Sequence, residues 1–285
     1  MTAARAASAV QVNGLSKAYG RVRAVRDLDL DVGYGEIFAI LGPNGAGKST
    51  TIEILEGHRK RDSGWVRVLG EDPADAGRSW RARIGIVLQE TSDFGMLTVS
   101  ETVRMFAKCY GDARARISEE LLELVGLAAS SGSRVRTLSG GQRRRLDVAL
   151  GIIAKPDLLF LDEPTTGFDP EARRQFWDLI RLLASDGTTV LLTTHYLEEA
   201  AALADRVAVV ARGRVAAVDS PARLTAHVNT TATVQWMEGD QLRVEHTDQP
   251  TELIRQRSAD GSELAQLTVS RPTLEDAYLQ LIGVT

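Results

Sequence analysis

A glycine-rich segment near the N-terminus constrains the fold more than any other part of the chain. Residues 42–49 have the sequence GPNGAGKS and fit the pattern G-x-x-x-x-G-K-[ST]. The segment follows the apolar run Ile37–Leu41 and precedes residues 50–56, which have a helical pattern. Glycines let successive backbone N–H groups converge on one anion, and a helix N-terminus favours negative charge. The segment is therefore a predicted phosphate-binding loop between a buried strand and a helix.

The side chains of this loop suggest a nucleotide with its metal ion. Lys48 is long enough to reach the terminal phosphates, and the Ser49 hydroxyl is a suitable ligand for Mg²⁺. A glycine-rich turn with a solvated lysine is the alternative, and the strand before the loop and the helix after it argue against it. The predicted nucleotide contacts in this segment are Gly42, Pro43, Asn44, Gly45, Ala46, Gly47, Lys48, Ser49 and Thr50.

Two carboxylates follow a second apolar run. Residues 158–161 are predicted to form a buried strand that ends in Asp162 and Glu163. In a parallel sheet, the carboxyl ends of the strands line the ligand crevice. Asp162 suits a partner of Mg²⁺, and Glu163 suits a general base that polarises an attacking water. The alternative, that both only cap the strand in solvent, fits poorly with a phosphate-binding loop on the same chain.

The order of elements predicts an α/β fold with two additions. Alternating residues at 10–12 and 28–32 indicate an antiparallel β subdomain at the N-terminus, and later buried strands alternate with helices as in a parallel sheet. Residues from about 90 to 154 have helical patterns only and are predicted to be an inserted helical subdomain. Beyond residue 222 the pattern changes to short strands and a helix. We predict domains at 8–222 and 223–285, the second a small α+β appendage.

A further motif distinguishes among the families of proteins that have phosphate-binding loops. Leu138-Ser139-Gly140-Gly141-Gln142 precedes a helical run and resembles the signature sequence of the ABC ATPase family. Physically it is a second anion site at a helix start. Residues 8–222 carry the other family motifs in order: Tyr19 at the adenine position, Gln89 at the Q-loop, Asp169 in a D-loop with the unusual Phe168, and His195 at the switch position.

The resemblance implies a mechanism and partners. In the family, each ATP lies between the phosphate-binding loop of one copy and the signature helix of another, so this chain with one motif set must pair with itself or a homologue. By this resemblance Glu163, His195, Lys48 and Gln89 are catalytic, and Ser49, Gln89 and Asp162 hold Mg²⁺. The nucleotide contacts from the other copy are Ser139, Gly140, Gly141, Gln142 and Asp169. Phe94, Met96 and Leu97 are expected near the contact with a membrane subunit.

The composition limits where the protein can be located and what it can bind. Net charge is −4, and no apolar run approaches the length of a membrane-spanning helix, so a separate permease must supply the pore. The N-terminus lacks a secretory pattern, and the single Cys109 excludes an intramolecular disulfide; we expect a buried Cys109 and a protein at the cytoplasmic face of the membrane. Arg143, Arg144 and Arg145 are expected on a solvated helix face, and no nucleic acid is expected.

Two segments suggest a branch of the family. TTHYLEEA at residues 193–200 and RPTLEDAY at residues 271–278 resemble the ATPases of ABC-2 type exporters, including the daunorubicin-resistance group. The resemblance implies efflux of a drug, lipid or other hydrophobic compound. The alternatives are an importer ATPase, a soluble ABC ATPase that acts on ribosomes or DNA, and a binding module without catalysis. Intact Lys48, Asp162, Glu163 and His195 argue against the last, and a single motif set without a long coiled coil argues against the soluble class.

Overall fold

The computed structural model describes residues 8–87, 94–110, 118–226, 231–259, 261 and 263–283. The chain forms two compact units, Met1–Val218 and Asp219–Thr285. The predicted site residue Gln89 lies outside the described residues.

Among the described residues, nine strands and seven α-helices build the first unit up to its boundary. The strands are β1 (Ser8–Tyr19), β2 (Val22–Gly33), β3 (Ile37–Leu41), β4 (Ser63–Val68), β5 (Ile84–Val87), β6 (Leu158–Asp162), β7 (Thr189–Thr194), β8 (Arg206–Ala211) and β9 (Arg214–Asp219). The helices are α1 (Lys48–Leu55), α2 (Arg78–Arg81), α3 (Val99–Tyr110), α4 (Ser118–Leu124), α5 (Gly140–Ile152), α6 (Pro170–Ser185) and α7 (Leu197–Leu203), with 3₁₀ turns at Ala128–Ser130 and Val135–Thr137.

A six-stranded sheet in the order β5-β6-β7-β3-β8-β9 forms the centre of this unit. The pairs β5/β6, β6/β7, β7/β3 and β3/β8 are all parallel. Strands β3 and β7 are buried at every residue, as expected of strands covered on both faces. Because the strands run the same way, the ends of β3, β6 and β7 meet at one edge of the sheet. The predicted parallel core is confirmed.

A second sheet in the order β2-β1-β4 is antiparallel and corresponds to the predicted N-terminal β subdomain. Its inward side chains join the main core, where Phe38, Leu15 and Trp80 are fully buried. Between β5 and β6 the described residues contain helices and one isolated bridge, Thr98 to Arg134, but no strand of the sheets. This agrees with the predicted helical insertion.

Two expectations about single side chains are wrong. Cys109 is exposed on α3 and not buried, because α3 directs only Val99, Thr102 and Val103 inward. Arg144 does not lie on a solvated helix face: it is 6% exposed on the inward side of α5. Its burial is made possible by backbone acceptors, which are described with the site below.

The second unit is small and α+β. Strands β10 (Ala232–Glu238), β11 (Gln241–Thr247) and β12 (Ala265–Ser270) form an antiparallel sheet in the order β11-β10-β12. Helices α8 (Pro221–Ala226), α9 (Pro250–Arg257) and α10 (Leu274–Ile282) accompany it. At the start of α10, Thr273 and Asp276 form a capping box, the pair that the sequence indicated.

Candidate nucleotide site

The phosphate-binding loop lies between β3 and α1, and its lysine is buried. Lys48 is 5% exposed, and its Nζ donates to the carbonyl oxygens of Gly42 at 2.9 Å and Pro43 at 3.3 Å. Burial lowers the pKa of Lys48, and the nearby carboxylates of Glu163 and Asp162 oppose that shift. The ammonium group is thus held under the loop, next to the two acidic residues.

The backbone of the loop is fixed from outside. Gly47 has φ +101°, and a Cβ atom there would lie 2.3 Å from the carbonyl oxygen of Ala24 in β2, so only glycine fits. The turn between β8 and β9 adds a second attachment, since the Gly213 N–H donates to the Ala46 carbonyl at 3.1 Å. The Arg26 N–H in turn donates to the Gly213 carbonyl at 2.7 Å. Strand β2 and the β8–β9 turn therefore hold the loop in shape before any phosphate binds.

The two carboxylates lie at the end of β6, as the sequence predicts: Asp162 is its last residue and Glu163 is the next. Asp162 pairs in register with Thr193 of β7, and the Thr193 hydroxyl donates to Asp162 Oδ1. Glu163 has φ +44°, and its N–H lies 3.1 Å from Thr193 Oγ1 and 3.2 Å from the Thr193 carbonyl. A non-glycine residue in the left-handed region costs free energy and persists only where its neighbours hold it there. This turn directs the Glu163 side chain across the edge of the sheet.

Glu163 contacts both the phosphate-binding loop and the residue that follows β7. Its Oε1 lies 3.7 Å from Lys48 Nζ, and its Oε2 lies 3.3 Å from Nδ1 of His195. The Glu163 side chain is half-buried, and His195 is more open and stacks at an angle on Tyr196. Lys48, which lies more than 100 positions before the other two residues, thus meets them within one set of contacts. The structure brings Lys48, Glu163 and His195 together, and Asp162 is held beside them.

The residues present fit a magnesium ion that is bound together with phosphates. Ser49 is the second residue of α1, next to Lys48, and Asp162 keeps one oxygen beyond the one that accepts from Thr193. Among the described residues no group of three or more His, Cys, Asp or Glu side chains could hold a metal alone. Mg²⁺ prefers one or two protein oxygens, with phosphates and water as the other ligands. A hydroxyl and one carboxylate are such a set.

Tyr19 lies at the end of β1 with part of its ring open. The side chain is 40% exposed, and the Arg59 guanidinium and Lys17 Nζ lie 5.2 and 5.7 Å from the ring centroid. Asp62 holds this strand end by accepting from Lys17 Nζ at 2.6 Å and from the Ala18 N–H at 2.7 Å. Cations against an aromatic ring are favourable and fix its orientation. The ring is therefore partly open, and its stacking on adenine stays a prediction.

The signature segment starts helix α5 with a capping box. Ser139 Oγ accepts from the Gln142 N–H at 3.2 Å, and Gln142 Oε1 accepts from the Ser139 N–H at 3.0 Å. Ser139 and Gly140 are exposed at this helix start. Within the described part of the chain, no hydrogen bond or ion pair joins residues 139–142 to residues 42–49. The structure therefore does not bring the signature residues to the loop of the same chain.

The D-loop residues have local structural roles. Asp169 caps α6, with Oδ1 accepting from the Ala172 N–H at 2.8 Å. Phe168, where the family usually has leucine, packs edge-on against the buried Phe176 at 5.7 Å between ring centroids. The ring of Phe168 is thus used in packing against α6. Asp169 as a nucleotide contact stays a prediction.

Two buried charges near the site escaped the sequence reasoning. Arg144 donates from Nε to the Pro164 carbonyl and from Nη2 to the Asp162 carbonyl, both at 3.0 Å. Glu199 accepts from the Thr165 hydroxyl at 2.8 Å and from Trp177 Nε1 at 3.2 Å, and burial raises its pKa. Both fix the segment that follows Asp162. A signal for Arg144 exists, because Arg144, Val148 and Ile152 are spaced by four residues and lie on the buried face of α5.

Comparison with known proteins agrees with this geometry. Residues 25–166 match the family described as ABC transporter. The daunorubicin/doxorubicin resistance ATP-binding protein DrrA of Streptomyces peucetius is 46% identical over 78% of this chain and 68% of the relative. DrrA2 of Streptomyces coeruleorubidus is 38% identical over 96% of this chain and 95% of its own length. The solved structure of an ABC transporter ATP-binding subunit superposes with a TM-score of 0.68 at 26% identity, covering 77% of this chain and 93% of the other.

The chain belongs to the ABC transporter family as one of its ATP-binding, ATP-hydrolysing subunits. Within the family its similarity is to exporter ATPases: the linearmycin resistance ATP-binding protein LnrL of Bacillus subtilis is 34% identical over 97% of this chain and 99% of the relative. The branch that the sequence motifs indicated is confirmed. A dimeric cassette with bound ADP and Pi, MJ0796, superposes with a TM-score of 0.66 at 26% identity, covering 74% of this chain and 98% of the other.

ABC ATPases of this kind dimerise and work with transmembrane subunits. Among the residues that the structure describes, no helix combines the length and the apolar character needed to cross a membrane.

Proposed function

We propose that two copies of this chain, or one copy and a homologue, close around two ATP molecules and drive efflux through a separate ABC-2 type permease at the cytoplasmic face of the membrane. The observation that carries the proposal is the contact of Glu163 with both Lys48 and His195 at one edge of the sheet. Those three groups are what ATP hydrolysis requires: a cation for the phosphates, a base for water and a sensor of the terminal phosphate.

Each residue of the site has a task in this proposal. The backbone N–H groups of residues 44–50 and the side chain of Lys48 bind the phosphates, and Tyr19 stacks on the adenine. Ser49 and Asp162 hold Mg²⁺, with Gln89 as a further predicted ligand, and the ion supplies charge neutralisation at the β- and γ-phosphates. Glu163 accepts the proton of the attacking water. His195 holds Glu163 in place and contacts the terminal phosphate oxygens.

The other copy completes the site. Ser139, Gly140, Gly141 and Gln142 present a capped, exposed helix start to the γ-phosphate of the ATP on the partner copy, with Asp169 at the same contact. Both copies bind the phosphates of the same ATP. Hydrolysis breaks the bond to the γ-phosphate, so the copies lose the ligand that they share and separate. This loss of shared contacts couples the chemistry to motion of the permease.

The cargo class follows from the relatives. Proteins named for resistance to daunorubicin and linearmycin and for Nod factor export are similar over most of this chain. These names support a large, partly apolar cargo such as a drug or a lipid-like compound.

One variant tests the catalytic assignment. Glu163→Gln keeps the shape of the side chain and removes the base, so ATP should still bind and a closed dimer should accumulate in size-exclusion chromatography with ATP and Mg²⁺. Lys48→Ala is the control that should not bind ATP and should not form the closed dimer with itself. Loss of one preorganised group of this kind lowers the rate about 10²–10³-fold. Hydrolysis by Glu163→Gln at the wild-type rate would contradict the assignment.

The partner is tested by recovery of the tagged chain from native membranes. The proposal expects a polytopic membrane protein without an ATPase domain of its own. Recovery of ribosomes instead would leave the ATPase assignment intact and overturn the exporter assignment.

A further inference from the structure

A cavity of about 420 Å³ lies in the first unit, away from the contacts of the phosphate-binding loop. It is bounded by the end of α1, by β5, and by helices α3 and α5. Most of its walls are apolar or aromatic. The lining residues on which the argument rests are Glu56, His58, Ile86, Phe106, Tyr110 and Leu150.

A buried carboxylate lines this apolar cavity. Glu56 is 5% exposed, and among the described residues its Oε2 has no hydrogen-bond donor. Nδ1 of His58 lies 3.3 Å from that oxygen, but the imidazole is largely solvent-exposed and carries a charge only when protonated. An unsatisfied buried carboxylate oxygen is costly, and native proteins rarely retain one without a use. Oε2 of Glu56 can therefore accept a further hydrogen bond.

The surroundings of Glu56 disfavour its charged form. Burial, with smaller contributions from the charges of Asp162 and Glu53, raises the pKa of Glu56 to about 8. Arg81 is exposed where it lines the cavity, and His58 and Tyr110 are the other titratable groups there. A cation brought into the cavity would favour release of the Glu56 proton, supply the missing donor to Oε2 and offset the repulsion from Asp162 and Glu53.

The surroundings of the cavity indicate a protein as the source of that cation. Phe106 stacks edge-on against Phe94 at 5.3 Å between ring centroids, which places residues 94–97 beside the cavity. Met96 is 68% exposed in that segment, and Met105 and Tyr110 are also exposed on α3. A group of exposed apolar side chains around a cavity is typical of a protein contact. The cavity holds about one long side chain.

From these observations we propose that Glu56 binds a basic side chain, lysine or arginine, that the membrane subunit inserts between β5 and α3. The apolar walls cover the methylene stem, and Oε2 accepts from the ammonium or guanidinium group. Helix α1 begins at Lys48 and ends next to Glu56, so the same helix contacts the phosphates at one end and the inserted cation at the other. This assignment rests on the proposed function for the identity of the partner, but the cation site itself does not.

The first experiment asks whether the cavity prefers a cation. Isothermal titration compares 4-phenylbutylamine with 4-phenylbutanol, which has the same stem and no charge. The wild-type chain should bind the amine at least about tenfold more tightly, and Glu56→Gln should lose that preference. Glu71→Gln, which changes an exposed glutamate in the same unit, is the matched control and should behave as wild type. Equal binding of amine and alcohol would overturn the cation site.

The second experiment asks whether the membrane subunit supplies the cation. Tagged wild-type, Glu56→Gln and Glu71→Gln chains are recovered from native membranes, and the polytopic partner is quantified by mass spectrometry. Recovery should fall several-fold for Glu56→Gln alone, and 4-phenylbutylamine should release the partner from wild type where 4-phenylbutanol does not. Unchanged recovery with a confirmed amine preference would mean that the site takes a free amine, and the partner assignment would be overturned.

The ATPase rate of the purified chain separates this inference from the proposed function. Glu56→Gln should hydrolyse ATP at close to the wild-type rate, because Glu56 contacts no residue of the loop. If the wild-type chain hydrolysed no ATP, the proposed function would fail while the amine titration would still decide the cation site.

Discussion

Charged side chains inside the first unit differ in how far their surroundings satisfy them. Arg144 lies near the catalytic segment and donates to two backbone carbonyls. Glu56 has an oxygen without a donor among the described residues, as does Glu199, whose other oxygen accepts from a hydroxyl and an indole. Because a satisfied buried charge holds its neighbours in place and an unsatisfied one destabilises the fold, substitutions at Arg144 and at Glu56 should have opposite effects on stability.

Arg144 is a positioning residue for Glu163. Arg144→Gln removes the donors to the carbonyls of Asp162 and Pro164, which flank Glu163 on both sides. Each unpaired buried carbonyl costs about 1–3 kcal/mol, so urea denaturation should show a clear loss of stability. The kcat should fall about tenfold, since Glu163 moves relative to the water that it polarises, while the KM for ATP should change little.

Arg145→Gln is the neighbouring control. Arg145 contacts Gln175 at the surface and no catalytic segment, so its loss should change neither kcat nor stability by much. Equal effects of the two substitutions, or a change confined to KM, would contradict the positioning role of Arg144.

Glu56 makes the stability of the fold depend on pH in a defined direction. Its folded pKa of about 8 lies above the ordinary value of 4.5, so the folded state binds the extra proton between those values. Stability from this group is therefore fully present below pH 4.5 and is lost as pH rises through 8. Glu56→Gln removes the titration, so it should stabilise the chain more at pH 8.5 than at pH 5.5, by on the order of 2–4 kcal/mol.

Urea denaturation of both proteins at the two pH values measures this difference, and titrations common to both cancel in the comparison. Glu71→Gln should show no such dependence. A stability difference between Glu56→Gln and wild type that stays constant with pH would contradict the raised pKa.

At the scale of elements, Ser139 at the start of helix α5 has two roles that can be tested separately. Ser139 caps the helix, and in the proposed dimer its N-terminus faces the γ-phosphate on the other copy. Aspartate caps a helix about as well as serine, but its charge repels a phosphate. The two roles therefore respond differently to one substitution.

Ser139→Asp should keep the stability of the chain within about 0.5 kcal/mol and reduce ATP hydrolysis by about 10² or more. Ser139→Ala is the complementary variant, since it loses the cap at a cost of about 1 kcal/mol without adding charge. Thermal unfolding and steady-state ATPase assays give the two readouts. Full activity of Ser139→Asp would show that this helix start does not face a phosphate.

The elements that the sequence predicted well are those with a local signal. Helix α6 begins at Pro170 after the cap Asp169, and β3 and β7 are continuous apolar runs. Strands β4 and β9 were not assigned, because each lies at an edge of its sheet and has few fully buried residues. Strand β8 was also not assigned, although its residues Val207, Ala208, Val209 and Val210 form an apolar run that carries the signal.

The residues of the site also divide into those with a local sequence signal and those without one. The residues of the loop, Asp162, Glu163 and His195 were predictable because each follows or precedes a strand of one parallel sheet, whose ends must meet. The burial of Arg144 and Glu56 depends on contacts between elements far apart in the chain. No local spacing specifies that a carbonyl after β6 will meet a guanidinium of α5, or that α3 will leave a cavity over Glu56.

At the scale of the whole molecule, the chain carries one loop and one signature segment, and within the described residues no contact joins them. A head-to-tail dimer resolves this, since the two loops and two signature segments of the pair then form two complete sites. In such a dimer Lys48 and Glu163 of one copy belong to the same site, while Ser139 of that copy belongs to the other site. Mixing of inactive variants therefore gives a direct test of the arrangement.

Lys48→Ala and Ser139→Asp should each be inactive alone, because every site of either homodimer contains the damaged residue. In a mixed dimer both lesions fall in one site and the second site is intact. An equal mixture should restore between about a quarter and about half of the wild-type rate, since each mixed dimer has one good site of two. The lower value holds if the variants pair at random, and the higher value holds if only mixed dimers close. Lys48→Ala mixed with Glu163→Gln is the control and should stay inactive, because the two lesions then damage different sites. Steady-state ATPase assays measure both mixtures. Rescue of the control mixture, or no rescue of the first, would contradict the shared site.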